Sequence, residues 1–221
     1  LVEGSPIVIA VLIPTLGRPG NIQRVIDDLE HSAPRDAIDP LFIVEAHDAD
    51  TIQAIKDAQR SYVINERAAS YAGAINTAVE HTTHPHLFIG ADDLHFHDGW
   101  LEPLLERAQD FGLVGTNDLH NPAVLNGDHA THFLVTREYS EVGTIDGQFP
   151  LLHEGYTHNY TDTEAVATAK HRGQWTPCLG SHVEHIHWAW GLAPMDPTYQ
   201  KGANTVHGDE ALYRSRSHLW M

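Results

Sequence analysis

Along the first half of the chain, short runs of apolar and β-branched residues alternate with segments whose apolar positions recur every three or four residues. Ile7 to Ile13 (IVIAVLI) is a continuous apolar run closed by Pro14, the pattern of a strand buried on both faces. After the turn TLGRPG, Pro19 stands where a helix can begin. Ile22, Val25, Ile26 and Leu29 then fall at helical spacing, which predicts an amphipathic helix over about 20–30. Leu41 to Val44 and Tyr62 to Ile64 read as strands, with a helix over Thr51 to Ala58 between them. Ala72, Ile75, Ala78 and Val79 mark a further helix that ends before Pro85. His86 to Ile89 is a strand that stops at GADD. Asp98 is placed to cap a helix carrying Trp100, Leu101, Leu104 and Leu105 on its apolar face, and Leu113 to Gly115 returns to the sheet. The alternation predicts an α/β fold, Rossmann-like, with a mostly parallel central sheet flanked by helices.

From about residue 117 the texture changes, and Gly, Asn, Pro and His become frequent. His132 to Val135 and His182 to Trp188 alternate like strands, and a helix is expected from Asp162 to His171, opened by Asp162 or Thr163 with Ala165, Val166 and Ala169 inward. The tail from 191 to 221 reads as irregular apart from a short helix at Asp209 to Arg216. No repeat, low-complexity stretch or linker divides the chain. Residues 1–221 are therefore expected to form one domain, with a ligand-binding half over about 7–116 and a mixed, loop-rich half over about 117–190.

Composition narrows the function classes. The 221 residues carry 30 Asp+Glu against 13 Lys+Arg, a formal net charge of −17, and a surface that negative repels polyphosphate backbones and anionic membranes. A general nucleic-acid coat is thereby excluded. The apolar runs stay well short of the roughly 18 residues that span a bilayer. The one cysteine, Cys178, forms no internal disulfide, and the apolar start at Ile7 lacks the basic flank of a secretion signal, so a cytoplasmic location is expected. The 18 histidines, scattered from His31 to His218, are the oddest count. His31, His81 and His129 have no role in any pattern and read as surface residues.

In open α/β sheets ligands collect at the carboxyl ends of strands, so PTLGRP, EAHDAD and GADD are expected to share one crevice. In FIGADDLHFHDGWL a strand ends in Asp92 and Asp93, carboxylates suited to Mg²⁺ or Mn²⁺ and, through it, to nucleotide phosphates. The plainer role for such a pair is turn-forming or helix-capping. In VEHIHW, His185 and His187 lie two apart and share one strand face. There a neutral imidazole can join Asp92 on a metal, and a row of surface histidines is the alternative. In YTDTEAVATAKHRG, Asp162 and Glu164 stand at the mouth of a helix, as caps or, for a carboxylate facing the crevice, as a general base. Arg18 and Arg67 suit either a phosphate or solvent. Trp188 and Trp190 are the candidates for stacking on a sugar, whereas Trp100 reads as core. No GxxxxGK[ST], GxGxxG after the first strand, GxSxG, HExxH or CxxC occurs, which disfavours P-loop, dinucleotide-binding, serine-hydrolase and zinc-protease readings.

Taken in order, VLIPTLGRPGNIQRVIDDL, SYAGAINTAVEHTTHPHLFIGADDLHFHDGWLEPLLE, THFLVTREYSEVGTIDGQF, YTDTEAVATAKHRG and VEHIHW followed by DPTY resemble the GT-A-fold glycosyltransferases of the family-2 type, small bacteriophage and actinobacterial enzymes in particular. The resemblance runs from about 7 to 190. It implies a GT-A fold in which the first loop, with Pro14, Thr15, Gly17 and Arg18, contacts the nucleotide. Glu45 or Asp48 would read the base, with Arg67, Asn76 and Ala91 also at the nucleotide. Asp92 would be the metal-holding residue of the DxD motif, His187 or His185 a further metal ligand, and Asp162 the base. This chain departs from the pattern at three places: the first Asp of the DxD is Gly90, the Glu-Asp pair of the base motif is Thr161-Asp162, and the usual DDGS is EAHDAD.

The resemblance thus implies a metal-dependent transfer of a sugar from a nucleotide-sugar, a UDP-sugar first, to an acceptor hydroxyl, with inversion. Mn²⁺ or Mg²⁺ would supply the positive charge that so cation-poor a chain lacks. A nucleotidyltransferase would need a basic glycine loop where TLGRPG offers only Arg18; a nucleotide- or metal-binding module without turnover is motivated by Gly90 and Thr161. A protein, a glycan or a modified DNA base are the acceptors to weigh, the last depending on a local basic patch from Lys170, Arg172, Lys201, Arg214 and Arg216. The expected compartment is a bacterial or phage-infected host cytoplasm.

Overall fold

The computed structural model describes residues 8–221; Ile7, where the first strand was expected to begin, lies outside the described residues. The chain runs β1 (Ile9–Pro14), α1 (Pro19–Ser32), β2 (Ile38–Val44), α2 (Ala49–Asp57), β3 (Ser61–Ile64), α3 (Tyr71–Glu80), β4 (His86–Ile89) and β5 (Leu94–Phe96). It continues through α4 (Glu102–Arg107), β6 (Leu113–Asn117), α5 (Pro122–Leu125), β7 (Phe133–Thr136), α6 (Arg137–Glu141), α7 (Thr161–His171), β8 (Trp175–His185) and α8 (Pro197–Arg216). The eight strands form one sheet in the order β3-β2-β1-β4-β7-β6-β8-β5. β3, β2, β1 and β4 are parallel, β7 enters antiparallel between β4 and β6, β6 and β8 are parallel, and β5 closes the edge antiparallel to β8. The α/β expectation with a mostly parallel sheet holds.

β1 shows why its sequence is apolar throughout. Successive side chains of a strand point to opposite faces, so Ile9, Val11 and Ile13 enter one core with Ile22, Val25, Ile26 and Leu29 of α1 and Ile55 of α2. Ala10 and Leu12 enter the other, with Ala72, Ile75 and Ala78 of α3 and Val166 and Ala169 of α7. A polar residue at any of these positions would be buried on one face or the other. Among the described residues no helix is long and apolar enough to cross a membrane, and Cys178 is buried and free.

Three local expectations are corrected. Asp98 does not cap the helix after β5: α4 starts only at Glu102, preceded by Leu101, while Trp100 packs edge-on against Phe88 and tilted against Phe96 in the core. Asp162 and Thr163 lie inside α7 and not at its cap, which is Tyr160 with a left-handed φ of 65°. β8 ends at His185, so Trp188 falls in a short 3-10 turn and not on the strand.

The largest difference is the tail. Where irregular chain and a helix over Asp209 to Arg216 were expected, α8 runs for 20 residues. Pro197 at its first turn and the Asp196 side chain, which accepts from the Tyr199 N–H, start it. Gly202 and Gly208 in its interior weaken the local helix signal, and only Tyr199, Gly202 and Asp209 are buried, so no apolar stripe announces it. Polar contacts hold it instead. Asp209 accepts the backbone N–H groups of Thr157, His158 and Asn159. Arg216 spans Glu164 at 2.8 Å and Asp146 at 2.9 Å, and Tyr156 donates its hydroxyl to the same Glu164 at 2.6 Å.

Glu164 is 4% exposed, and truncating its cationic partner leaves a buried charge unpaired. Arg216→Ala is expected to cost about 3–5 kcal/mol of folding free energy, read from the shift of a urea unfolding curve.

Candidate active site

The loops after β1, β2 and β4 open on one side of the sheet. With the segment after β8, the mouth of α7 and the first turns of α8, they enclose a cavity of about 780 Å³. That is within the range of sites that enfold a small organic ligand. Pro14, Thr15, Arg18, Glu45, Ala91, Asp92, Asp162, His185 and His187 all line it, so the expected crevice exists and gathers residues from five separate stretches of sequence.

At its floor lies a pair of buried carboxylates. Asp92 Oδ2 accepts the Thr15 hydroxyl at 2.5 Å, and Asp92 Oδ1 accepts Arg18 Nη1 at 2.9 Å. Asp93 Oδ2 lies 3.4 Å from the same Nη1, 2.9 Å from the Tyr199 hydroxyl and 3.5 Å from His185 Nε2. Asp93 Oδ1 is buried with no partner. Burial and the neighbouring Asp93 charge push Asp92 up to about 6 against the pull of Arg18 and Thr15. Burial also penalises Asp93, but His185 and Arg18 outweigh it and hold Asp93 well below the usual carboxylate range. Burial likewise opposes the charge on Arg18, yet its bonds to Asp196 and the adjoining carboxylates more than compensate.

The histidines divide by charge. His185 is depressed by burial and raised further by Asp93, so it ends above its ordinary value. His187 is pushed down to about 4 by burial and the nearby His185, as is His132. His132 Nδ1 faces the Ile89 carbonyl at 3.2 Å, which places the proton there, and its Nε2 is buried without a partner. A carboxylate oxygen and an imidazole nitrogen with nothing to bind suit a hard divalent cation. No three His, Cys, Asp or Glu side chains among the described residues form a ready-made cage, however. The cation that meets the carboxylate pair is Arg18.

Gly90, the departure from the DxD pattern, has a packing reason. A Cβ there would stand 3.1 Å from the Leu12 carbonyl oxygen and 3.3 Å from the Phe88 ring, and the Gly90 carbonyl accepts the Tyr71 hydroxyl at 3.0 Å. The two carboxylates here are Asp92 and Asp93.

On the opposite wall Asp162 Oδ2 lies 3.2 Å from His129 Nε2. Burial works against the Asp162 charge, but the bond to His129 prevails and lowers its pKa; burial works against the His129 charge as well, and the bond to Asp162 raises it. His129 is therefore no surface residue. Its sequence neighbourhood, NGDHATH, carries no motif that would have found it, whereas His31 and His81 are exposed as expected.

Four expected nucleotide contacts do not line the cavity. Asn76 is fully buried and accepts the N–H groups of Leu151 and Leu152 while donating to the Leu152 carbonyl and Glu154. Arg67 pairs with Glu80 and Glu154. Asp48 caps α2 through the Thr51 N–H and accepts the Gly17 N–H at 2.6 Å; Gly17 takes the left-handed φ of 65° that this turn needs. These residues shape the walls from behind. Glu45 remains on the surface of the cavity, held by Asn65 Nδ2 at 2.8 Å. Trp190 also lines it, stacked on His120, while Trp188 stands outside. Motif reading takes Asp93 together with Asp92 as a metal-holding carboxylate, whereas it gives His132 and Tyr199, within the THFLVTREY and DPTY stretches, no role of their own.

The sequence profile described as glycosyl transferase family 2 matches residues 10–168. Among solved structures, the chain is similar to a mannosyltransferase from Pyrobaculum calidifontis in complex with GDP-Man and Mn²⁺. The identity is 17% and the TM-score 0.65, over 84% of this chain and 58% of that one. It is similar also to glucosyl-3-phosphoglycerate synthase from Mycobacterium tuberculosis in complex with Mn²⁺, UDP and glucosyl-3-phosphoglycerate. There the identity is 14% and the TM-score 0.63, over 89% of this chain and 75% of that one. At these identities the likeness is one of fold, and the chain spans less than two thirds of the mannosyltransferase. No curated protein is similar enough in sequence to match.

The Asp162–His129 pair has a defined pH window. Asp162, lowered from 3.8, contributes stability above that value that is lost as pH falls through its folded pKa. His129, raised from 6.5, contributes below that value and loses it as pH rises through its own folded pKa. Asp162→Asn is expected to unfold about 1 kcal/mol more easily than wild type between these values, with the gap narrowing above pH 7, measured by denaturant titration across pH.

Proposed function

The chain belongs to glycosyl transferase family 2, and from that membership we propose that it moves a sugar from a nucleotide-sugar to an acceptor hydroxyl, with Asp162 as base and inversion at the anomeric carbon. The observation that carries this reading is one cavity holding a buried carboxylate pair at the end of β4 and, on another wall, an ionised carboxylate at the mouth of α7. The similar structures hold UDP or GDP-Man with Mn²⁺, and a UDP-sugar with Mn²⁺ or Mg²⁺ is the first donor to try.

Each wall has a task under this reading. Thr15 and Arg18 sit where a diphosphate would lie, and Glu45, oriented by Asn65, faces the nucleoside. Asp92 and Asp93, with His187, His185 or the free nitrogen of His132, supply oxygen and nitrogen donors for the divalent ion. Such an ion, when bound, neutralises charge that develops on the departing diphosphate. Asp162 takes the proton of the acceptor hydroxyl as that oxygen attacks the anomeric carbon from the face opposite the diphosphate. His129 holds Asp162 ionised and oriented, and the low pKa keeps the base ready at neutral pH.

The acceptor enters past Asp162 and Trp190. A DNA acceptor finds little support: of the five basic residues considered for a patch, Arg216 is committed to Glu164 and Asp146, Arg214 to Glu210, and Arg172 to the carbonyls of Gly143 and Thr144. A glycan or protein hydroxyl fits better beside an exposed tryptophan and a strongly acidic surface.

Release of nucleoside diphosphate from a panel of UDP- and GDP-sugars with Mn²⁺ tests the reading. Wild type is expected to turn over at least one donor. Asp162→Asn should lose about 10²- to 10⁴-fold in rate while binding the nucleotide as before in calorimetry, and Asp92→Asn should lose the metal dependence. Undiminished turnover in Asp162→Asn would remove it from the mechanism.

A further inference from the structure

Arg18 is tied to more acidic groups than any other cation in the cavity. Its Nη1 reaches Asp92 and Asp93, its Nε and Nη2 reach the two oxygens of Asp196 at 2.7 and 3.2 Å, and its guanidinium carbon lies 4.0 Å over the Tyr199 ring. Three carboxylates and a ring face thus hold one side chain that is 11% exposed. The lysines lining the cavity, Lys170 and Lys201, each meet a backbone carbonyl, of Asp128 and Ala69, and His185 and His129 each meet a single carboxylate, of Asp93 and Asp162.

We propose that Arg18 is a resident counter-ion, which holds the cation position on Asp92 and Asp93 until a divalent ion arrives with the nucleotide, and then turns its Nη1 group to the diphosphate. The proposal rests on the metal-dependent transfer proposed above. Two buried carboxylates side by side need a compensating cation. A guanidinium cannot lose its charge to make way, and it repels a divalent ion seated on the same oxygens. It has to move. The contacts divide in a way that permits the motion: Asp196 grips the Nε–Nη2 edge, the Tyr199 ring covers one face of the guanidinium, and only Nη1 is shared with the carboxylate pair. Nη1, freed from the carboxylates, keeps its N–H donors and the guanidinium charge for a phosphate oxygen. The same residue then neutralises the empty site and, on loading, adds the side-chain charge that the composition otherwise lacks.

The grip comes from outside the family match at residues 10–168. Asp196 caps α8 and Tyr199 lies in its first turn, so the start of α8 registers which partner Arg18 has chosen.

The experiment measures Mn²⁺ affinity without nucleotide, from the electron paramagnetic resonance of free Mn²⁺, and UDP or GDP affinity with Mn²⁺ present. Arg18→Gln is expected to bind Mn²⁺ on the order of tenfold more tightly than wild type and the nucleoside diphosphate more weakly. Asp196→Asn, which keeps a capping side chain on α8 and leaves the carboxylate pair intact, should tighten Mn²⁺ binding by a smaller factor, and it serves if Arg18→Gln does not fold. Asp92→Asn should abolish the Mn²⁺ site in every background. Mn²⁺ affinity unchanged or weakened in Arg18→Gln and Asp196→Asn overturns the counter-ion role and leaves the metal-dependent reading standing. Mn²⁺ bound by none of the variants, with nucleoside diphosphate still binding in a chelator, overturns both.

Discussion

Two carboxylates buried next to each other at the end of a central strand are the constraint around which the cavity is built. Asp92 and Asp93 follow β4 directly, where a parallel sheet presents strand ends to the ligand side, and neither can keep its charge there without partners. The protein meets that demand with Thr15 and Arg18 from the β1 loop, His185 from β8 and Tyr199 from α8. Elements far apart in sequence therefore converge because each satisfies part of one electrostatic requirement. The residual imbalance is a raised Asp92 beside a depressed Asp93 and two polar atoms without partners, on Asp93 and His132, which the proposed divalent ion would satisfy.

The second wall is organised by the same economy. Asp162 is held ionised by His129, and α7 is fastened from behind by Arg216, which reaches Glu164 one half-turn from Asp162. α8 thus contacts both chemical ends of the cavity: Tyr199 and Asp196 at the carboxylate pair, and Arg216 beneath the proposed base. Its own burial is slight, so the helix exists because of these polar contacts and, in return, fixes the spacing between the two ends. In a chain with 13 basic and 30 acidic residues, Arg18 and Arg216 are both placed on buried carboxylates.

Motif order and periodicity revealed the parallel half well. Runs such as IVIAVLI and HLFI can be satisfied only by burial on two faces, and the helices over 19–32 and 71–80 follow from apolar positions that recur with the helical period. Asp92, His185, His187 and Asp162 could be singled out as candidates because each stands near the end of an element. Asn76 and Arg67 were misread for a physical reason: a polar residue near a strand end looks the same in sequence whether it faces a ligand or ties down the Leu151–Glu154 segment. His129 lies in a loop-rich stretch whose spacing follows no period, and His132 just before the short strand β7, so nothing local distinguishes either from the other histidines.

What the sequence determined by itself is what depends on the nearest neighbours along the chain: the strands and helices of the first half, the fold class, the family resemblance and the acidic ends of two elements. What only the tertiary structure decided is how charges meet across the chain. Arg18 with Asp196, 178 positions away, Asp93 with Tyr199 and Asp162 with His129 are pairings between loops and helix ends. α8, stabilised by such pairings and not by an apolar stripe, disappears from any reading of periodicity. Hydrophobic burial leaves a repeating trace in sequence because the elements repeat; a single long-range ion pair leaves none, and in this protein such pairs set the geometry of the cavity.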